Sequence, residues 1–126
     1  MARDVWPERA VASTKKLSAP VLVLTSVGSA RAATVLARAL LKSRLCACVS
    51  LVSPVRSLYW WKGTLHDERE TLLVIKSVRR QVAALRRRLL QIHPYEVPEV
   101  LVLAASASAT YGSWLNAETA RRKGPM

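Results

Sequence analysis

Phenylalanine is absent from this chain, and glycine, histidine and cysteine are scarce: four, two and two among 126 residues. Each shortage closes off a class of function. The glycines form no cluster, so there is no G-x-G-x-x-G turn and no Walker-type loop to cradle a phosphate. No G-x-S-x-G elbow occurs, and two histidines without a nucleophile motif assemble no triad. Enzymatic activity is therefore not expected. Cys46 and Cys48 stand too close in sequence for an ordinary disulfide, and no apolar secretory segment precedes them. Both points favour a reducing compartment, the cytoplasm. Asp4 and Glu8 disfavour an organelle transit peptide, a class poor in acids. No apolar run approaches the ~20 residues that span a bilayer. Acids are scarce too: eight against twenty Lys and Arg, a net charge of +12. Such a balance fits an anionic partner or a well-solvated surface.

What is present alternates regularly. Residues 1–19 read as a loosely ordered extension and 123–126 as a tail, flanking one domain over 20–122. Residues 20–27 are a short apolar strand. Ser29 is placed to cap a helix on which Arg31, Arg38 and Lys42 share one side, ending near Leu45. Residues 46–62 read as a long strand, with Pro54 marking an edge position or a bulge. Lys62-Gly63 makes a tight turn, and 64–76 returns as a second long strand. Ser77 is placed to cap a second helix with the apolar stripe Val78, Val82, Leu85, Leu89 and Ile92. Residues 93–99 stop that helix, 100–105 form a fourth strand, and 110–122 a short last helix. The order β-α-β-β-α-β, plus a C-terminal helix, predicts an α+β, ferredoxin-like fold.

The central hairpin is long for so small a domain. Strands of this length span roughly 40–55 Å at ~3.3 Å per residue, against a radius of gyration near ~14 Å. Its tip carries Tyr59, Trp60 and Trp61. A projecting arm with consecutive large aromatics asks for cover, and a second copy of the chain is the simplest source. Bare edge strands at 46–53 and 100–105 offer a further route to pairing between copies. A homo-oligomer is expected.

The candidate chemistry lies in residues 93–99, HPYEVPE, where two prolines hold an extended shape. His93, Glu96 and Glu99 are metal-ligating types, as are the thiolates of Cys46 and Cys48, which share a face if both lie on a strand. The bland alternatives stand beside these. Buried cysteines are commonly small core residues, and His93 at a helix C-terminus can cap free carbonyls. Glu68 and Glu70 read as a charged cleft or, more simply, a solvated or inter-subunit ion-pair face. His66 is assigned no role. The ferredoxin-like plan is shared with RNA-recognition modules, which stack bases on strand aromatics. Residues 21–24 and 72–76 carry none, so sequence-specific nucleic-acid reading is disfavoured.

Several of these stretches together resemble the CutA family, the divalent-cation-tolerance proteins. They are Ala39-Leu40-Leu41, Arg44-Leu45-Cys46-Ala47-Cys48-Val49, Ser57-Leu58-Tyr59-Trp60-Trp61-Lys62-Gly63, Glu68, Glu70, Leu73-Val74-Ile75-Lys76, the HPYEVPE segment, and the terminal Tyr111 and Trp114-Leu115. The resemblance implies a tight homotrimer with hairpins wrapped round neighbouring subunits. Tyr59, Trp60, Trp61, Tyr95 and Trp114 would then be interface residues. It implies metal tolerance, with copper or another divalent metal held near Cys48 and His93; Glu96, Glu99 and Cys46 are further candidate ligands on their own chemistry. A small ligand or protein partner is the alternative, since fold and trimer also resemble the PII signalling proteins, which bind small ligands in inter-subunit clefts. The chain departs from the pattern in several places. Thr25 stands where some bacterial members have cysteine, and Ile92 where some have a second histidine. Val27-Gly28-Ser29-Ala30 replaces an acidic segment, Cys46 stands where alanine is common, and the charge is more basic than the resemblance implies.

Overall fold

The computed structural model describes residues 17–120. The expected extension at 1–19 and tail at 123–126 therefore lie almost wholly outside the described residues. The elements run β1 (Pro20–Val27), α1 (Ala30–Lys42), β2 (Cys48–Trp61), β3 (Thr64–Val78), a single 3-10 turn (Arg79–Gln81), α2 (Val82–Ile92), β4 (Leu101–Ala104) and α3 (Ala109–Glu118). One four-stranded sheet has the order β2-β3-β1-β4, and every neighbouring pair is antiparallel. This is the ferredoxin-like arrangement expected from the sequence, with β2 and β4 as the bare edges.

Local chemistry sets most boundaries. The Ser29 side chain accepts from the Ala32 backbone N–H and caps α1. The helix ends at Lys42, short of Leu45, because Arg44 takes a left-handed φ of 60° and turns the chain. The hairpin turn has positive φ at both Lys62 and Gly63, 50° and 78°. That is what a two-residue turn needs to match the strand twist. The β2–β3 register shifts between Val52 and Val55, so Pro54 does mark an irregularity.

Two expectations at the start of α2 are corrected. Ser77 does not cap a helix. It is the penultimate residue of β3, and its hydroxyl donates to the Leu45 carbonyl at 2.6 Å. Val78 belongs to the strand as well, and the helical stripe begins at Val82. An apolar stripe cannot distinguish a last strand residue from a first helical one when both are buried.

Directly opposed residues of a ladder share a face, which sorts the sheet into two sides. Under α1 and α2 lie Val21, Val23 and Val27 of β1 with Leu73 and Ile75 of β3. They meet Leu36 and Leu40 of α1 and Leu85 and Leu89 of α2 in one continuous core. The opposite, outer face carries Leu22 and Leu24 of β1, Leu72 and Val74 of β3, and Leu101 and Leu103 of β4. Leu101 and Leu103 are 54% and 44% exposed. The outer face is therefore leucine-rich and only partly covered.

Candidate functional site

Beyond the end of β1, which pairs with β3 only from Thr71 to Val78, the hairpin continues as a two-stranded arm. Among the described residues, 64–70 of β3 have β2 as their sole strand neighbour, a reach of about 23 Å at ~3.3 Å per residue. Its tip presents Leu58, Trp60 and Leu65 at 58%, 73% and 57% exposure. Tyr59 stacks on His66 at 5.3 Å between ring centroids, and the Lys62 ammonium lies 5.5 Å from the Trp61 ring centre. Of the expected interface residues, Tyr59, Trp60, Trp61 and Tyr95 are exposed in the single chain. Trp114 is half-buried, beside Tyr111 on α3.

At the root of this arm sits Glu70. It occupies the outer-face position two residues before Leu72, and it is buried, only 7% exposed. The reading of Glu70 as a solvated surface charge is therefore corrected. Its carboxylate accepts from the Tyr95 hydroxyl at 2.6 Å and from the Ser26 hydroxyl at 3.4 Å. The rigid segment 93–99 brings Tyr95 there. Burial first, then the hydrogen bond and the negative charge of Glu70, raise the Tyr95 phenol well above its ordinary pKa. It stays a neutral donor. Glu68, further out on the arm, is exposed.

His93 closes the network from behind. Its backbone N–H bonds the Leu89 carbonyl and ends α2. The side chain, expected either to cap that helix or to bind a metal, reaches β1 instead. Nδ1 accepts from the Tyr95 backbone N–H at 3.1 Å, and Nε2 lies 3.0 Å from the Ser26 carbonyl. An imidazole that accepts at Nδ1 carries its proton on Nε2, so Nε2–H donates to Ser26. Burial lowers the His93 pKa, against the opposing pull of the Ser26 carbonyl and Glu70, and favours the neutral ring. Both ring nitrogens are thus occupied, with no lone pair presented to a ligand.

The other expected ligands divide between two places. Glu99, near β4, has its carboxyl raised above the usual range, by desolvation first and then by the charge of Glu70. The two carboxylates are close enough to feel each other. Glu96 is exposed on the same segment. Cys48 is opposite Lys76, six residues along β3 from Glu70, or about 20 Å. The Lys76 ammonium contacts the Cys48 thiol at 3.7 Å and the Ser50 hydroxyl at a shorter distance. Cys46 is not on the strand. It precedes β2 and is buried in the core, with its thiol pushed up to about 12 by burial and then by Cys48. The expectation of two thiols on one strand face is corrected: one is a core residue and the other partly exposed. Among the described residues, no three His, Cys, Asp or Glu side chains form a group able to hold a metal ion.

The comparisons with known proteins agree with this architecture. The model of the CutA1 divalent ion tolerance protein family matches residues 21–118. The chain belongs to that family. The divalent-cation tolerance protein CutA of Pectobacterium atrosepticum is 42% identical over 106 residues, 83% of this chain and 96% of that one. The solved divalent cation tolerance protein of Thermus thermophilus superposes with a TM-score of 0.76 at 35% identity, covering 80% of this chain and 99% of its own. The periplasmic divalent cation tolerance protein CutA of Archaeoglobus fulgidus shares the fold, with a TM-score of 0.77 at 22% identity over 80% of this chain and 99% of that one. The family is defined by ion tolerance, not by a reaction. Among the described residues no helix is long and apolar enough to cross a membrane.

The sequence offered Glu70 only together with Glu68, as a charged cleft or an ion-pair face, and did not separate the two. Glu70 and Glu68 look alike in sequence, two residues apart on one face. The available signal was the outer-face alternation. It turns apolar at Leu72, so Glu70 is the last polar residue before the covered part of the sheet. Ser26, at the matching end of β1, carried no signal.

Proposed function

We propose that this protein serves divalent-cation tolerance as a non-catalytic homotrimer whose inter-subunit clefts bind a divalent metal ion or a small ligand. The carrying observation is a buried carboxylate, Glu70, at the root of an arm its own chain leaves uncovered. A second copy laid along the leucine-rich outer face would bury Leu101 and Leu103 and close a cleft over Glu70 and Glu99, and a copy wrapped round the arm would cover Trp60 on the arm's other face. Among the described residues, one chain groups too few ligands to hold a metal. A neighbour would add the missing donors.

The donor set decides which ion fits. Oxygen donors converge near Glu70, whereas the soft donors do not. Cys46 is buried and Cys48 sits by Lys76, while His93 spends both nitrogens on the backbone. Carboxylates suit Mn, Mg or Ca better than they suit copper(I). Glu70 and Glu99 are the first candidates, with Glu96 beside them. Cys48 and His93 form the competing copper set; they stand at opposite ends of one sheet, so they would meet only across two copies, with His93 released from Ser26. A small anionic ligand is the second reading. Lys76 favours it, since its ammonium on the outer face meets hydroxyl and thiol and, among the described residues, no carboxylate. The unpaired thiols fit a cytoplasmic setting.

Titration calorimetry with Mn, Zn and Cu separates the metal sets. Heats lost in Glu70→Ala/Glu99→Ala but kept in Cys48→Ala/His93→Ala support the carboxylate cleft. The reverse supports copper. Heats unchanged in both variants overturn metal binding at either set.

A further inference from the structure

Charge is segregated in this molecule to a degree that ion tolerance does not require. The described acids are Asp67, Glu68 and Glu70 on β3, Glu96 and Glu99 after α2, and Glu118 at the end of α3. None lies on α1, on the 3-10 turn or on α2. On α1 the exposed residues Arg31, Arg38 and Lys42 form one stripe at helical spacing, about 16 Å long at ~1.5 Å per residue. On the neighbouring α2, Arg86, Arg87 and Arg88 are all exposed. Both helices cover the same side of the sheet, so the α1 stripe and the α2 arginines decorate one side of the molecule. Among the described residues, the ion pairs are Arg44 with Glu118, Arg56 with Asp67 and His66 with Glu68. None of the six helix-face cations is in them.

We infer that the α1–α2 face is a docking surface for double-stranded DNA, gripped through its phosphates without reading sequence. The chemistry of the face selects this partner. Five of the six cations named are arginines, whose planar fork fits a phosphate bidentately. No aromatic residue lies on either helix. That disfavours a single strand, which is held by base stacking. It also disfavours a membrane surface, where Trp and Tyr anchor at the headgroup level. Val35 and Leu90 are the only large exposed apolar residues there, and each is isolated. The apolar stripes of α1 and α2 are spent on the core, so neither helix can roll into a bilayer. RNA duplexes are read largely through 2′-hydroxyls, and the arginine stripes offer mainly charge. The face is opposite the outer sheet face, so oligomer assembly through the latter leaves it open.

The test is fluorescence anisotropy of the full chain with a short duplex DNA of arbitrary sequence, between about 50 and 300 mM KCl. The wild type should bind at low salt, with log affinity falling linearly against log salt. Arg86→Ala/Arg87→Ala/Arg88→Ala should weaken binding on the order of tenfold or more at low salt and reduce the slope by about three. The matching Arg→Lys variant should keep most of the affinity, which separates charge from folding. Absence of duplex binding at low salt overturns the inference. So does a triple-alanine variant that binds like wild type, since the α1–α2 face would then not carry the contact. Tighter association with phosphatidylserine vesicles than with duplex overturns it in favour of a membrane.

Discussion

The sheet under the helices and the arm beyond it are made from the same two strands, yet they stand in opposite positions. From Thr71 inward, β3 has β1 on one side and β2 on the other, and Leu73 and Ile75 are fully buried. From Glu70 outward it has β2 alone, and most of the large residues face water. An isolated two-stranded ribbon is marginally stable in water. The covered half is a completed unit, while the arm is left uncovered by its own chain. Glu70 stands at the boundary, where a buried carboxylate is most costly without partners and most useful with a ligand.

The contrast can be broken by substitutions on either side. The largest effect is expected in the covered half. Leu85→Ala, at a fully buried position of α2, should lower unfolding free energy by ~2–5 kcal/mol in denaturant titrations. On the arm the effect should be on association instead. Trp60→Asp should cost ~2 kcal/mol or more of assembly energy, the size of an interface hot spot. Sedimentation should then show smaller species while the far-ultraviolet circular dichroism of α1 and α2 persists. Collapse of both signals together would show that the covered half is not self-sufficient.

At the boundary the expected effects are smaller. Tyr95→Phe removes the hydroxyl that Glu70 accepts and should cost about 1 kcal/mol, tempered by the partial exposure of Tyr95. His93 gives a pH signature. Its folded pKa is lowered from 6.5, so below that value the unfolded chain takes up a proton that the folded one resists. The stability it contributes is present above pH 6.5 and is lost as pH falls through the folded value. Protonation would also place a hydrogen on Nδ1 against the Tyr95 N–H. Thermal melts between about pH 5 and 8 should show this fall, and His93→Gln should flatten it. Glu99, raised by desolvation and Glu70, contributes with the opposite sign, and only at more acid pH. The smallest effect is expected far out on the arm. Arg56 and Asp67 make a two-point ion pair at 2.8 and 2.6 Å, but both are exposed. Arg56→Ala should leave the melting temperature of the covered half unmoved.

Most of the fold was legible in the sequence because short apolar runs, one capping serine and a Lys-Gly turn punctuate it cleanly. Errors fell where two structures share a pattern. Val78 satisfies both the strand and the helical stripe, and Cys46 looks like a strand residue until Arg44 turns the chain ahead of it. The site was less legible for a different reason. Glu70 and Glu68 have the same chemistry and parity, and only the place where β1 stops distinguishes them. His93 stands out in the sequence, but its bonds to Ser26 and Tyr95 depend on how the ends of α2 and β1 meet, which no spacing encodes. The metal set drawn from the family resemblance scattered for the same reason, with Cys48 at one end of the sheet and His93 at the other.

The arm and outer face of one chain should find their cover in further copies. Sedimentation equilibrium of the full chain, at micromolar concentration and in salt high enough to suppress charge effects, decides this. The expected result is a single species at about three times the 13.9 kDa chain mass, with Trp60→Asp sedimenting as smaller species. A wild-type chain that remains monomeric, with melting independent of concentration, would contradict it.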